Sequence, residues 1–438
     1  MKKRFLFLAL LGLVALGLLQ TASAQQWYKG QLHCHSLWSD GNTLPELAID
    51  WYRSAGFHFM ALTDHRVVQL DSNRWKEAVS ALIEESRKKF GDEFTETKEE
   101  NGKTLVRLKT YQELSDLFNK DGAFHLILGH EQDGNIGGRT MHANAINISE
   151  VIPSSSSFPT LVEAMLDWRK GTLENASKND KVGFWMVNHP NWPYFDITPE
   201  VLIEASDVEF YEWNTTSPPR HVGIPPGHPE GTTLWDSIIH PDHPTFEKSW
   251  DIINSFRLIQ GKKPIYMVAS DDTHSYRTFE HNVANPGHGW VVVRSEKLEA
   301  DSLFTAMKKG DFYSSTGVEL KEIRFDAETG TLNVEVQPEE NIFYSIRFVG
   351  TKKDFDTRAR TFEDPAIGSF KPMRIGKAYS GDIGITFHTV TGTSASYQMA
   401  PDDLYVRAVV TSSKIPKYRA RNKPLTENAL TQPYYRPY

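Results

Sequence analysis

The sequence predicts an α/β fold, a parallel βα domain followed by a small antiparallel β-sandwich, and three observations carry that expectation. Between about residues 30 and 317, short apolar runs alternate with helical patterns, as in chains whose strands are joined by crossover helices. After Gly317 the apolar residues recur at every second position instead. Histidines and carboxylates recur where the apolar runs of the first part end.

The first residues, MKKRFLFLALLGLVALGLLQTASAQQ, place three basic residues before an apolar run from Phe5 to Leu19 and close with Ala22-Ser23-Ala24, the small-residue pattern of a secretory cleavage site. A fifteen-residue run is short of the about 20 residues that a bilayer-spanning helix needs. Residues 1–24 are therefore expected to be a signal peptide, giving a secreted or periplasmic protein with no membrane span after its removal. The 438-residue chain has one cysteine, Cys34, so no disulfide forms within it, and stability must come from the core or from bound metal. A formal charge of −8 gives no reason to expect nucleic acid as a partner. In so acidic a chain, a negatively charged substrate needs local positive charge, which bound metal ions supply.

Seven runs read as strands of the first domain, residues 25–317: GQLHCH, FHFMALTDH, FHLILGHE, HANAINI, VGFWMVNHP, VEFYEWN and PIYMVASDD. Amphipathic stretches such as SNRWKEAVSALIEESRKKF and FPTLVEAMLDWRKG lie between them, with apolar residues near helical spacing. The unit GWVVVRSEKLEADSLFTAMKKGDFYSSTG adds a strand and a helix and closes the domain. Residues 318–438 follow as the β-sandwich, with strands in TLNVEVQ, NIFYSIRFVG, IGITFHTV and DLYVRAVV. The tail KIPKYRARNKPL...QPYYRPY reads as a solvated terminus packed along the surface. Between VEFYEWN and the next helix, Asn214 to Lys248 form a long Pro-, Gly- and His-rich loop of the kind that serves as a lid, carrying His221, His228, His240 and His243.

The chemistry gathers at strand ends. In an extended strand residues i and i+2 share a face, so His33 and His35 project together, while Cys34 points into packing behind them. Asp40 follows in SDG, His65 closes MALTDH, Glu131 closes LILGHE, His189 closes FWMVNHP, and Asp272 and His274 follow IYMVAS. In βα barrels the C-terminal ends of strands converge on one face, so five separate strands offer donors to one place. His142 begins the run ANAINI rather than ending one, and strand-end convergence alone does not include it. Imidazoles and carboxylates without a thiolate suit zinc, manganese or iron. Nine donors exceed what one ion of about four to six coordination uses, so two to three divalent ions are expected.

These motifs, taken in order along residues 30 to 317, resemble the PHP (polymerase and histidinol phosphatase) family of metallophosphoesterases: HxH at His33 and His35, SDG at Asp40, TDH at His65, GxE at Glu131, then His142, NHP at His189, and DxH at Asp272 and His274. The resemblance implies a distorted (β/α)7 TIM-like barrel with a trinuclear site. It assigns His33, His35, Glu131 and Asp272 to a first metal, His142 and His189 to a second bridged by Glu131, and Asp40, His65 and His274 to a third. SWDIINSFRLIQGKK, GDFYSSTG and the β-rich C-terminal region look most like the secreted CehA/McbA-type branch, which includes enzymes similar to phosphoesterases and others that hydrolyse an aryl carbamate.

The expected activity is hydrolysis of a small-molecule phosphoester by metal-activated hydroxide, with Glu131 and Asp272 at the catalytic centre and His243, in HPDHP, as the acid for the leaving group. Where many relatives carry an arginine after the histidine-proline pair, this chain has Asn191 and Trp192. They are read as substrate contacts, with Arg139 and Arg277 as substitute cations. A carbamate, ester or amide is the alternative bond, and Trp38, Trp192 and Trp213, each beside a motif, offer an aromatic cleft for it. A secreted metal- or glycan-binding module without turnover is the alternative of a different class.

Overall fold

The computed structural model describes residues 25–119, 122–190, 197–215, 244–279, 283–364, 374–416 and 426–436, so the expected signal peptide lies outside the described residues. Among the described residues no helix is long and apolar enough to cross a membrane.

The N-terminal part runs β1 (Gln26–Gln31), α1 (Pro45–Ser54), β2 (Phe59–Leu62), β3 (Trp75–Glu77), α2 (Ser80–Phe90), β4 (Thr97–Glu100), β5 (Lys103–Arg107), α3 (Tyr111–Phe118), β6 (His125–Ile136), β7 (Arg139–Ile146), α4 (Leu161–Lys178) and β8 (Phe184–Val187). It continues through α5 (Pro199–Glu204), β9 (Phe210–Asn214), α6 (Phe246–Ile259), β10 (Tyr266–Ser270), β11 (Trp290–Ser295), α7 (Ala300–Lys308) and β12 (Phe312–Ser315). Local chemistry sets the helix starts. Thr110 and Thr160 form capping boxes with Glu113 and Glu163, and Pro45 occupies the first turn of α1, where no amide donor is needed.

The expected parallel arrangement holds for β1 with β2, β2 with β6, β8 with β9 and β9 with β10. It fails at β7, which is antiparallel to both β6 and β8, and at β11, which is antiparallel to both β1 and β12. Only Gly137 and Gly138 separate β6 from β7, both at positive φ, and a parallel pairing needs a crossover of about a dozen residues. The stretch from Ser72 to Phe90 is likewise not one helix. Trp75–Glu77 instead pairs with Leu105–Arg107 in a small sheet ordered β3-β5-β4, and tertiary pairing overrides the helical spacing.

The C-terminal part contains β13 (Leu320–Asp326), β14 (Thr331–Val336), β15 (Tyr344–Lys352), β16 (Ala359–Asp364), β17 (Arg374–Tyr379), β18 (Ile385–Thr391), β19 (Ser394–Gln398), β20 (Asp403–Ser412) and β21 (Asn428–Thr431). Strands β13, β14 and β19 form one sheet. Its inner side chains, including Ile323, Leu332 and Val334, share a core with Ile346, Phe348, Ala408 and Val410 from β15 and β20. That facing layer is continuous with the N-terminal sheet. Among the described residues, thirteen strands run in the order β10-β9-β8-β7-β6-β2-β1-β11-β12-β21-β20-β15-β18.

The tail therefore departs from its expected surface position. β21 pairs on one side with β12 and on the other with β20, and its four residues are buried. Just beyond it, the Gln432 carboxamide accepts from the Met267 amide at 3.0 Å and donates to the Met267 carbonyl at 3.0 Å, gripping β10. A strand placed between two others satisfies its backbone groups on both sides, which a solvated tail cannot do.

A buried ion pair also joins the two parts. Arg407 on β20 donates to Asp251 on α6 through Nε at 2.8 Å and Nη2 at 2.7 Å, with side-chain exposures of 1% and 3%. Tyr405 donates to the same carboxylate at 2.6 Å, and the guanidinium lies 4.9 Å from the Trp250 ring centroid.

Removing one partner strands a buried charge, so Asp251→Ala is expected to lower the urea-derived unfolding free energy by about 3–5 kcal/mol, and Asp251→Leu combined with Arg407→Met by much less. A second expectation concerns Lys29, whose Nζ sits 4.1 and 3.9 Å from the Phe57 and Trp290 ring centroids. Burial pushes its pKa down to about 8. Between pH 8 and the ordinary lysine value of 10.5 the unfolded chain holds this proton more tightly, so its contribution to stability rises with pH and is least below pH 8. Lys29→Met should remove that rise when unfolding free energies of variant and wild type are compared from pH 7 to 10.5.

Candidate metal centre

The backbone brings the predicted donors to one end of the sheet. The β1 ladder stops at Gln31, but the chain stays extended to a parallel bridge between Cys34 and Thr273, which joins the residues after β1 to those after β10. The His35 amide donates to the Thr273 carbonyl at 2.8 Å, so His33 and His35 keep the shared face expected of a strand. A second bridge pairs His65 with Glu131. The inversion of β7 accounts for His142, because in the β6–β7 hairpin it lies opposite Asp133, two residues past Glu131. A residue at the start of an antiparallel strand reaches the same end as residues late in its neighbour.

Three sets of donors result. In the first, His35 Nε2 lies 3.0 Å from Asp272 Oδ1, 3.2 Å from His33 Nε2 and 3.4 Å from Glu131 Oε2, and His33 Nε2 lies 3.2 Å from Asp272 Oδ1 and 3.3 Å from Glu131 Oε2. In the second, the Glu131 carboxylate meets His142 Nδ1 at 3.0 Å, His65 Nδ1 at 3.2 Å and His189 Nε2 at 3.3 Å. In the third, Asp40 meets His35 Nδ1 at 3.4 Å, His274 Nε2 at 3.4 Å and His65 Nε2 at 3.7 Å. His35 and His65 thus each stand between two sets, and Glu131 belongs to two. The floor, His33, His35 and Glu131, is buried, whereas Asp40 is 54% exposed at the rim.

No protein-family model matches the sequence, and no curated protein matches it. Among solved structures, a two-domain protein of Bacteroides vulgatus containing a predicted PHP-like metal-dependent phosphoesterase shares 12% identity over 93% of this chain and 95% of its own, with a TM-score of 0.36. A candidate metal-dependent phosphoesterase of Bifidobacterium adolescentis shares 13% identity over 56% of this chain and 87% of its own, with a TM-score of 0.28. The functional meaning of the site rests on its own donor atoms.

Those atoms fit divalent metal. Ligands at about 2.0–2.2 Å on a tetrahedral ion stand about 3.3–3.6 Å apart, and the first set spans 3.0 to 3.4 Å. Glu131 Oε2 is buried and makes no hydrogen bond, although three ring nitrogens lie within 3.4 Å of it. A carboxylate oxygen in that position is aimed at a cation rather than at a donor hydrogen. Nitrogen and carboxylate donors without sulfur suit zinc, manganese or iron.

The electrostatics of the metal-free site agree. Burial opposes ionisation of Glu131, but His65, His33 and His142 together hold its carboxyl well below the usual range. Burial and the neighbouring His274 push His35 down to about 4, leaving it neutral with a lone pair to offer. His274 is pushed up to about 9, because Asp272 and Asp40 outweigh its burial.

Residues outside the donor set hold it in shape. Asp64 of the TDH motif accepts from the amides of Ser36 and Ser39 at 2.8 and 3.1 Å and from both hydroxyls, fixing the loop that carries Asp40. Gly41 completes that loop because a Cβ there would lie 2.5 Å from the His35 carbonyl carbon. Asp271 accepts from the amides of Gly287, His288 and Gly289, and Asn188 donates to Glu131 Oε1 at 2.8 Å. His189 and Asp272 have φ of +26° and +50°, uncommon for residues other than glycine and concentrated at functional sites.

Other expectations meet different fates. His243, Asn191 and Trp192, with His221, His228 and His240, lie outside the described residues. Arg139 and Arg277 are exposed. Arg66 directly follows His65 and pairs with Asp133, whose other oxygen is 2.9 Å from His65 Nδ1. Neither Arg66 nor Asp133 stood out in the sequence, although Asp133 shares the strand face of Glu131 two residues earlier. Trp38 does not line a cleft: it is fully buried among Leu44, Leu47 and Leu108, and its indole donates to the Lys109 carbonyl. Trp213 stacks on Phe246. Cys34 is buried, and burial first among the causes pushes its thiol pKa well up, so it is an inert packing group.

If the donor sets hold metal, adding Mn²⁺ or Zn²⁺ at a hundred times Kd stabilises the metal-free protein by about 2.7 kcal/mol per site. Glu131→Gln should abolish most of that gain in thermal unfolding and lower the metal content found by elemental analysis.

Proposed function

We propose that the chain is a secreted, metal-dependent hydrolase of the PHP type, built on a distorted barrel of the CehA/McbA-like branch, whose substrate is a small phosphoester. The observation that carries this reading is the sharing of donors: Glu131, His35 and His65 each serve two of three adjacent sets. Adjacent sets with common ligands are what a multinuclear hydrolytic centre requires, whereas a structural ion needs one closed set. Divalent ions bound there would supply a water of lowered pKa and a clamp on anionic oxygens.

The chain's own groups fix how a substrate meets that centre. His33, His35 and Glu131 close the floor, so approach is from the rim formed by Asp40, His65, His142 and His274, all partly exposed in their side chains. Local cationic charge draws a phosphate ester to an otherwise acidic protein. Arg66, 65% exposed and tethered by Asp133, is the rim cation that follows a donor directly in sequence, and we assign it to the substrate's phosphoryl oxygens. His243 remains the proposed acid for the leaving group.

The test compares bis-(p-nitrophenyl) phosphate, p-nitrophenyl phosphate and an aryl carbamate with the metal-loaded protein. Phosphate-substrate turnover that falls at least about 100-fold in His35→Ala, with Arg66→Ala raising KM more than it lowers kcat, is the expected result. Turnover of the carbamate alone would reassign the bond, and bound metal without any turnover would favour a binding module.

A further inference from the structure

We propose that Glu212 is a positioning residue that presets two metal ligands, His33 and His189, before any ion binds, an inference that rests on the metal-centre reading. Glu212 lies on β9 between β8 and β10 and is fully buried. A buried carboxylate in the apolar run FYEWN demands partners. Its partners come from three separate segments. Oε1 lies 2.6 Å from His33 Nδ1, after β1, and accepts from the Ser270 hydroxyl at the end of β10. Oε2 accepts from the His189 amide at 2.6 Å, after β8.

Each contact acts on a ligand residue at a point away from the atom that faces the donor sets. A carboxylate only accepts, so the His33 ring carries its proton on Nδ1 and presents Nε2 to Glu131 and Asp272. The amide contact holds His189 at its φ of +26°, a conformation an unsupported histidine rarely keeps. In that conformation His189 Nε2 reaches Glu131 Oε1 at 3.3 Å. The same carboxylate therefore sets the ring orientation of a ligand in the first donor set and the backbone of a ligand in the second.

Glu212→Gln is isosteric and discriminating. Its amide nitrogen must face either the His189 N–H, donor against donor, or His33, where it forces the proton onto Nε2 and blocks the ligand atom. The expected result is a rise of about 10- to 100-fold in the Kd for Zn²⁺ measured by chelator competition, with the metal-free melting temperature changed less than the increment that Zn²⁺ adds to wild type. A role in folding alone would lower the melting temperature equally with and without Zn²⁺. Should the variant not fold, ¹⁵N and ¹H spectra of Zn²⁺-loaded wild type decide: His33 bound through Nε2 with a hydrogen-bonded proton on Nδ1 supports the assignment, and binding through Nδ1 overturns it. Wild-type affinity in Glu212→Gln also overturns it. Wild-type protein that takes up no Zn²⁺ overturns the metal centre along with it, and so is told apart from failure of Glu212 alone.

Discussion

Glu131 Oε2 lies 3.2 to 3.4 Å from ring nitrogens of His33, His35 and His65, in an interior where an isolated carboxylate is strongly disfavoured. Much of the architecture around it answers that one constraint. β6 runs twelve residues, long enough to carry Glu131 past the end of its partner β2, and the tight hairpin that follows swings His142 back over it. Asn188 donates to the oxygen that Oε2 leaves behind. The polar groups are placed by backbone bridges rather than by long flexible side chains, so the site is held by the sheet itself.

The division between floor and rim has a chemical sense. The buried donors are shielded from water, in an interior where electrostatic interactions are stronger than in solvent. The rim donors Asp40 and His274 sit on loops anchored from behind, Asp40 by the carboxylate of Asp64 and His274 by the segment that Asp271 ties to Gly287, His288 and Gly289. An exposed ligand can meet a substrate, while the carboxylate behind it keeps the loop from relaxing.

Much of this was legible in the sequence because side-chain type and strand position report directly on convergence. The HxH pair, Glu131 and Asp272 stand at run ends, and the geometry brings them together in one donor set, with His274 in the adjacent one. What was not legible depended on pairing partners distant in the chain. The inversion of β7 was hidden because HANAINI looks the same in either direction, although the two glycines between Ile136 and Arg139 left room only for a hairpin. Trp75–Glu77 kept a helical spacing yet found a strand partner about thirty residues away. Glu212 is a single acid inside an apolar strand and Asp133 stands in the polar stretch just after Glu131, and only their spatial neighbours show what they hold.

The placement of β21 sets an order of events for a newly made chain. β12 and β20 have no shared neighbour until residues 428–431 arrive, and β10, the strand that leads into Asp272 and His274, is not gripped until Gln432 is in place. Local hairpins such as β6–β7 can form early, but this closure joins residues more than a hundred positions apart, the kind of contact that forms late and slowly. A nascent chain that has reached residue 400 therefore carries every donor and lacks the tether on the strand that aims two of them.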